Sequence, residues 1–167
     1  ESLDILTNND MLNTKHAYRK IKGKTTVVNP MDAEKYARLK TYLQSKNVIV
    51  MQAVGDDLAY LIAIGAEATY DAGYIMHIGE IPSASAFFEE VIHWAQAKKY
   101  GELTSSDPVE LCAREVAANR KLLHNGNAYG FDEIDFNDIQ RNLARWETKF
   151  EELVGTTYDE SDYRRDI

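Results

Sequence analysis

Residues 83–100 read SASAFFEEVIHWAQAKKY, and their pattern predicts the helix around which the rest of the chain is organised. At about 100° per residue, Glu89, Glu90, His93 and Gln96 span roughly a third of the helix circumference. Apolar residues occupy the other side, where they can face a core. Two adjacent carboxylates and one imidazole therefore project together from one face of the helix.

The spacing Glu-Glu-x-x-His is one residue away from a zinc motif. In His-Glu-x-x-His, two imidazoles one turn apart bind zinc, and the intervening Glu is the general base. Here Glu89 stands where the first histidine would be, and Glu90 and His93 follow at the same spacing. A Glu and a His four residues apart are also an ordinary pair on a solvated helix, so the motif alone leaves both interpretations open.

The next predicted helix places an acid where a core is expected. This helix opens at Asp107-Pro108, with the Asp as its cap. Glu115 and Asn119 fall near the middle of its apolar half. A buried ionised carboxylate needs a cation, hydrogen-bond donors or a water-filled cleft, so we expect Glu115 to face His93 or a metal. Asn119 could orient Glu115 or bond a neighbouring backbone group.

Three other polar residues can be explained without a role in the site. Glu110 and Arg114, four residues apart on the opposite polar face, are predicted to form a helix cap and a surface pair. His77, in a predicted strand over residues 74–78, could be aimed into the cleft, or it could be a partly exposed strand residue without a ligand role.

The length of 167 residues, 44% of them apolar, suits one compact domain. We expect a linker or irregular arm over residues 1–29, a single α+β domain over residues 30–155 and a frayed tail over residues 156–167. The predicted order is helix, strand, short helix, hairpin and three helices. This order favours a small, mostly antiparallel three-stranded sheet with packed helices and a helix-rich carboxyl-terminal half.

The boundaries of several elements follow from local patterns. The run over residues 47–54 is apolar on both faces, which predicts a buried central strand. Period-two segments flanking Asp71-Ala72-Gly73 predict a hairpin. The helix that opens at Pro108 is expected to end near residue 124, where Asn125-Gly126-Asn127 follows. An apolar stripe at steps of three and four then predicts a last helix to about residue 154.

The net charge of −8 is unevenly distributed. The first 50 residues hold nine Lys and Arg against five Asp and Glu, whereas the rest hold ten against twenty-two. This acidic balance disfavours extended contact with nucleic acid. No segment predicts a signal peptide or a membrane span, so we expect a soluble chain cut from a longer protein. The lone Cys112 excludes an internal disulfide and is expected to be a small buried thiol.

In its context, the motif resembles the zincin metallopeptidase core. The matching residues are Ser83-Ala-Ser-Ala-Phe-Phe-Glu-Glu-Val-Ile-His93, preceded by a hairpin and followed by Glu115-Val-Ala-Ala118. In that family the strand before the active helix borders the substrate cleft, and gluzincin-type members take a third ligand from a Glu on the following helix. Over about residues 45–125, the resemblance implies metal ligands at Glu89, His93 and Glu115 and a general base at Glu90, so that Glu90 and His93 are the catalytic candidates.

The same helix is similar to a group of toxin domains. Phe-Phe-Glu-Glu-x-x-His-x-x-Gln, followed by Glu-x-x-Ala and Lys-Leu-Leu, resembles zincin-like domains at the carboxyl ends of bacterial polymorphic toxins and phage head-associated proteins. The resemblance implies a metal-dependent hydrolase that acts on a protein or peptide, an immunity protein as partner, and secretion or delivery into a target cell within a longer protein.

Glu89 in place of the first histidine changes the expected metal chemistry. Two carboxylates neutralise a divalent cation, which then acidifies a bound water less strongly. Oxygen-rich ligation also favours harder ions. The resemblance makes zinc the first expectation, and the oxygen-rich ligands make Mn²⁺ or Fe²⁺ the alternatives; a degenerate site would hold no metal.

Two other functions stay open at this point. Glu89, Glu90 and His93 could perform acid–base chemistry without a metal, in a nuclease or in a glycan- or NAD-cleaving toxin. Alternatively, a degenerate zincin could act as a binding module. The polar cluster would then only provide the hydrogen-bond and charge partners that the carboxylate of Glu115 needs.

Overall fold

The computed structural model describes residues 16–104 and 106–159. Over these residues the chain forms a two-stranded sheet, a three-stranded sheet and five helices, which confirms the predicted α+β class. The elements in chain order are β1 (Ala17–Ile21), β2 (Lys24–Val28), α1 (Ala33–Ser45), β3 (Ile49–Gln52), α2 (Gly55–Ile64), β4 (Ala68–Asp71), β5 (Tyr74–His77), α3 (Ala84–Tyr100), α4 (Pro108–Tyr129) and α5 (Glu133–Val154).

The three-stranded sheet is mixed, with the order β3-β5-β4. The β4–β5 hairpin is antiparallel, but β3 pairs with β5 in parallel, so the predicted mostly antiparallel sheet needs correction. The prediction of a central position for β3 is also wrong. β3 lies at the edge of the sheet, and only one of its faces packs on the core, so Val48 and Val50 are buried whereas Ile49 is 59% exposed.

Residues 17–28 form a hairpin, where the sequence predicted an irregular arm. Lys22 and Gly23 both have positive φ, of 51° and 75°, which gives the two-residue loop the twist that a hairpin favours. Arg19 is buried and pairs with Glu67 and with Glu80, whose Oε2 lies 2.8 Å from Arg19 Nε. These partners are 48 and 61 residues away, so no local pattern could indicate them. The rest of the predicted arm, residues 1–15, lies outside the described residues.

The carboxyl-terminal half is helical, as expected, but α4 continues beyond Asn125-Gly126-Asn127 to Tyr129. Gly126 lies inside this helix, and its lack of a Cβ leaves room for the rings of Phe131 and Phe136 beside its Cα. After α5, Tyr158 is buried against Phe150, so the predicted frayed tail is wrong at this residue. Residues 160–167 lie outside the described part of the chain.

The main core lies between the three-stranded sheet and the helices α1, α3, α4 and α5. Its fully buried side chains include Leu43, Ile75, Phe87 and Leu122. Ser83 caps α3, because its hydroxyl accepts a hydrogen bond from the backbone N–H of Ala86 at 3.3 Å. The core thereby holds α3 with its apolar side inward and its acidic side toward β4 and α4.

No helix within residues 16–104 and 106–159 combines the length and the apolarity that crossing a bilayer requires.

The close contact at Gly126 predicts that Gly126→Ala destabilises the fold. A Cβ there would lie 2.4 Å from the ring of Phe136 and 2.9 Å from the ring of Phe131. These rings pack against each other, with centroids 5.9 Å apart, so neither can move alone. We expect a loss of about 1–3 kcal/mol in the free energy of unfolding, measured by urea denaturation.

Gly79→Ala is the matched control, because a Cβ at Gly79 would meet no atom within 4 Å. Equal stability of Gly126→Ala and Gly79→Ala would contradict the proposed steric role of Gly126.

Candidate metal centre

The structure brings one imidazole and two carboxylates together between α3 and α4. His93 Nε2 lies 3.8 Å from Oε1 of Glu89, one turn earlier on α3, and 3.4 Å from Oε1 of Glu115 on α4. The side chains of His93 and Glu115 are 17% and 15% exposed. The expectation that Glu115 faces His93 across the two helices is therefore confirmed.

Gln96 holds the imidazole in place and orients it. Its Nε2 donates a hydrogen bond to the backbone oxygen of Arg114 at 2.9 Å, so its Oε1 is free to accept one from His93 Nδ1, also at 2.9 Å. This arrangement places the proton of the neutral imidazole on Nδ1 and leaves the lone pair of Nε2 facing the two carboxylates. Gln96 is fully buried, as expected for an amide whose two polar atoms are both paired. Sequence reasoning grouped Gln96 with the site face but assigned it no role.

The separations of Glu89, His93 and Glu115 fit a divalent ion. One ligand atom from each residue can be chosen so that all three lie within 4.8 Å of one another. For metal–ligand bonds of about 2.0–2.2 Å in tetrahedral geometry, neighbouring ligand atoms are about 3.4 Å apart. The hydrogen bond from His93 to Gln96 adds the outer partner that a metal-binding histidine normally has. Glu89, His93 and Glu115 could therefore hold a metal ion.

Electrostatics at the cluster favour a bound cation. Burial alone lowers the pKa of His93, but the charges of Glu115 and Glu90 and the hydrogen bonds to Glu115 and Glu89 outweigh burial and raise this pKa well above its usual value. Burial raises the pKa of Glu90 to about 8, and the neighbouring Glu89 and Glu115 add to the rise while His93 opposes it. Three carboxylates around one imidazole thus hold negative charge that a proton or a metal can neutralise.

A cavity of about 370 Å³ opens beside the cluster, lined by Glu89, Glu90, His93 and Glu115. The resemblance led us to expect the strand before the active helix at this cleft. That strand is β5, the central one, whereas Thr69 and Tyr70 of the edge strand β4 line the cavity. A hydrogen bond from the backbone of Tyr70 reaches Glu90, so this acid stands directly beside the edge strand.

The structure corrects the expectation for Arg114 and decides between the two alternatives for Asn119. Arg114 is buried, not at the surface: its Nε donates to Glu110 at 2.8 Å and its Nη1 donates to the Gly101 oxygen at 2.8 Å. Asn119 bonds a backbone group, since its Nδ2 donates to the oxygen of Glu115 at 2.8 Å. Arg114 also lines the cavity. Its position on the polar face of α4 in the sequence did not indicate that it would be buried.

His77 does not join the cluster, and it is buried, not partly exposed. Its Nδ1 lies 2.7 Å from the oxygen of Ile78 and 2.9 Å from that of Glu80, so Nδ1 carries the proton. Its Nε2 accepts a hydrogen bond from the Tyr36 hydroxyl at 2.7 Å. With both nitrogens paired inside the core, His77 is a structural residue.

Cys112 is buried, as expected.

Comparisons with family models, curated proteins and solved structures found no match. The zincin resemblance therefore stays a prediction that rests on the motif. The geometry of Glu89, His93 and Glu115 is an independent observation.

The surroundings of His77 predict a pH dependence of stability. Burial lowers its pKa from the ordinary 6.5, because the cost of burying a charged ring exceeds the opposing effect of the hydrogen bonds from Nδ1 to the Ile78 and Glu80 oxygens. The unfolded chain then binds the proton more readily than the folded chain. The stability that His77 contributes is therefore complete above about pH 6.5 and is lost as the pH falls through the lower folded pKa. We expect the free energy of unfolding to fall more between pH 7 and pH 5 in the wild type than in His77→Gln.

Tyr36→Phe serves as the control, because it removes the donor to Nε2 but keeps a titrating imidazole. Its pH slope should retain the wild-type sign. An equal slope in the wild type and in His77→Gln would show that His77 titrates normally.

Proposed function

We propose that this chain is a metal-dependent hydrolase of zincin-like fold that cleaves peptide bonds, and that it acts as a toxin effector domain. The observation that carries the hydrolase proposal is the position of His93 Nε2 between the carboxylates of Glu89 and Glu115, with Glu90 beside them at a cavity. The toxin role and an immunity protein as partner rest on the resemblance of residues 83–123 to such domains.

In this proposal Glu89, His93 and Glu115 would hold the ion, with Gln96 fixing the imidazole. A bound divalent ion would polarise the substrate carbonyl and lower the pKa of a water molecule. Glu90 lies next to the ligands and next to β4. A bound divalent ion would lower the raised pKa of Glu90, and its carboxylate would then take a proton from the attacking water and pass it to the leaving amine. Zinc is the first choice because the spacing is close to that of a zinc motif, and the two carboxylate ligands make Mn²⁺ or Fe²⁺ the alternatives.

The edge strand β4 gives the proposed substrate a place to lie. Thr69 and Tyr70 border the same cavity as Glu90. The outer edge of β4 has no strand partner in the described residues. An extended peptide fits such an edge because its backbone can hydrogen-bond there, which places a peptide bond within reach of the acid.

We expect the purified protein to bind about one zinc ion per chain and to lose most of its affinity in Glu115→Gln. The loss should exceed 100-fold, since removing even an outer partner of a metal ligand costs roughly 10–100-fold. Titration with zinc against a competing chelator measures the affinity.

Glu133→Gln is the control for metal binding, because it removes the same charge from an exposed position on α5. Its zinc affinity should match that of the wild type. Equal zinc binding by Glu115→Gln and the wild type would remove Glu115 from the ligand set.

We expect Glu90→Gln to reduce hydrolysis of casein or of a mixed peptide library by roughly 10²–10⁴-fold, the usual contribution of a general base. Zinc affinity should persist, because Glu90 is not a proposed ligand. Excess EDTA should abolish the activity of the wild type, and added zinc should restore it.

Glu133→Gln again serves as the control and should hydrolyse casein at the wild-type rate. Hydrolysis that persists in EDTA, or that survives in Glu90→Gln, contradicts the proposal. Parallel incubations with tRNA, DNA and NAD would then identify a metal-free hydrolase.

A further inference from the structure

A second cavity lies on the other side of the acidic cluster. Its volume is about 460 Å³, and Glu89, Glu90 and Glu115 line it as they line the first cavity. The two cavities therefore meet at these three acids. Residues 66–68 border the second cavity, and Thr69 and Tyr70 border the first. The pair of cavities thus forms one groove that follows β4 past the cluster.

The second cavity differs from the first in its cations. Lys22, Arg141 and Arg145 line it, whereas Arg114, the one Lys or Arg that lines the first cavity, is buried and hydrogen-bonded to Glu110 and Gly101. Among the residues that the structure describes, the Arg145 guanidinium donates its hydrogen bond to a neutral partner, Asn142 Oδ1, at 3.0 Å. Within the described residues, neither Lys22 nor Arg145 forms an ion pair with a carboxylate.

Lys22 is positioned by the backbone of Gly65. A Cβ at Gly65 would lie 2.4 Å from Lys22 Cε and 2.8 Å from its Cδ, so the lysine stem crosses directly over this glycine. The turn that carries Lys22 is anchored by its backbone N–H, which donates to the oxygen of Ile62 at 3.2 Å. The side chain of Lys22 therefore extends over Gly65 and lines the second cavity.

The acids in this cavity do not cancel these cations. Glu67 is already paired with the buried Arg19, and Asp138 is paired with Arg141. In the proposed function, the ion neutralises Glu89 and Glu115. Of the acids that line this cavity, Glu90 then remains without a cationic partner, so the two cations Lys22 and Arg145 exceed the remaining acid and leave a net positive charge at one end of the groove, in a chain whose net charge is −8.

We propose that the second cavity binds an acidic segment of the peptide substrate, on one side of the bond to be cleaved, through Lys22 and Arg145. This inference rests on the proposed peptide hydrolase function. Carboxylates are the complementary groups for two unpaired cations at the rim of a half-enclosed groove. The first cavity, which offers no comparable cation, accepts a segment without that charge.

The test measures binding separately from cleavage. The probes are fluorescein-labelled alanine octapeptides with two adjacent central residues, which are Glu, Gln or Lys. Anisotropy titrations use zinc-loaded Glu90→Gln protein, so that the probe is not consumed. We expect the Glu peptide to bind at least 10-fold more tightly than the Gln peptide, with a preference that shrinks between 50 and 500 mM salt, as screening requires.

The double variant Lys22→Gln/Arg145→Gln should lose this preference. The control Arg38→Gln, at an exposed position on α1 that lines neither cavity, should keep it. Circular dichroism checks that each variant is folded. Equal binding of the Glu and Gln peptides, no binding of any probe, a preference unchanged in the double variant, or tighter binding of a single-stranded DNA octamer would each overturn the inference.

Cleavage by the wild type is scored independently. If the Glu preference is present but no peptide is hydrolysed with zinc, the proposed function fails and the acidic-segment site stands. If peptides are hydrolysed without regard to acidic residues, the function stands and the inference fails.

Discussion

The contact between α3 and α4 at Gln96 is the constraint on which the site depends. This amide is fully buried, so each of its polar atoms must be paired, and the partners are His93 on its own helix and the Arg114 backbone on the next. A shift of either helix by one residue would break the hydrogen bond to Arg114. The same hydrogen bond therefore fixes the register of the two helices that brings Glu115 opposite His93. The pairing of one buried amide thus determines the geometry of the cluster.

The cluster that results carries more negative charge than its surroundings readily hold. Glu89, Glu90 and Glu115 surround a single imidazole in a half-buried site, and the raised pKa values of Glu90 and His93 both express this excess. A folded protein can neutralise such a group with protons or with a cation. A divalent ion would neutralise two of the carboxylates and use the Nε2 lone pair of the neutral imidazole, so Glu89, His93 and Glu115 could hold a metal ion.

The groove beside the cluster depends on a part of the chain distant in sequence. Arg19, in the hairpin β1–β2, is buried between Glu67 and Glu80 and ties the start of β4 to the loop before α3. Because a buried cation without partners would cost several kcal/mol, this interaction holds the hairpin against the core. Lys22, at the tip of the same hairpin, is thereby brought to the groove. The amino-terminal hairpin is thus part of the site's architecture.

Local patterns determined much of this protein. The helix over residues 84–100, its cap at Ser83, the β4–β5 hairpin and the acidic face with His93 all depend on neighbours within a few residues, and so they could be predicted. Glu115 was also predictable, since a carboxylate on an apolar helix face needs a partner. Tertiary structure alone decided the parallel pairing of β3, the burial of Arg19 and Arg114, the two paired nitrogens of His77 and the linking role of Gln96. The parallel pairing of β3 depends on the order of strands in the sheet, and the position of Arg114 depends on its hydrogen bond to Gly101, 13 residues away. The other three depend on partners 18 to 61 residues away: Arg19 on Glu80, His77 on Tyr36, and Gln96 on Arg114. Local propensity contains no information about which distant groups a buried side chain will meet, because that choice is made by the packing of the whole core.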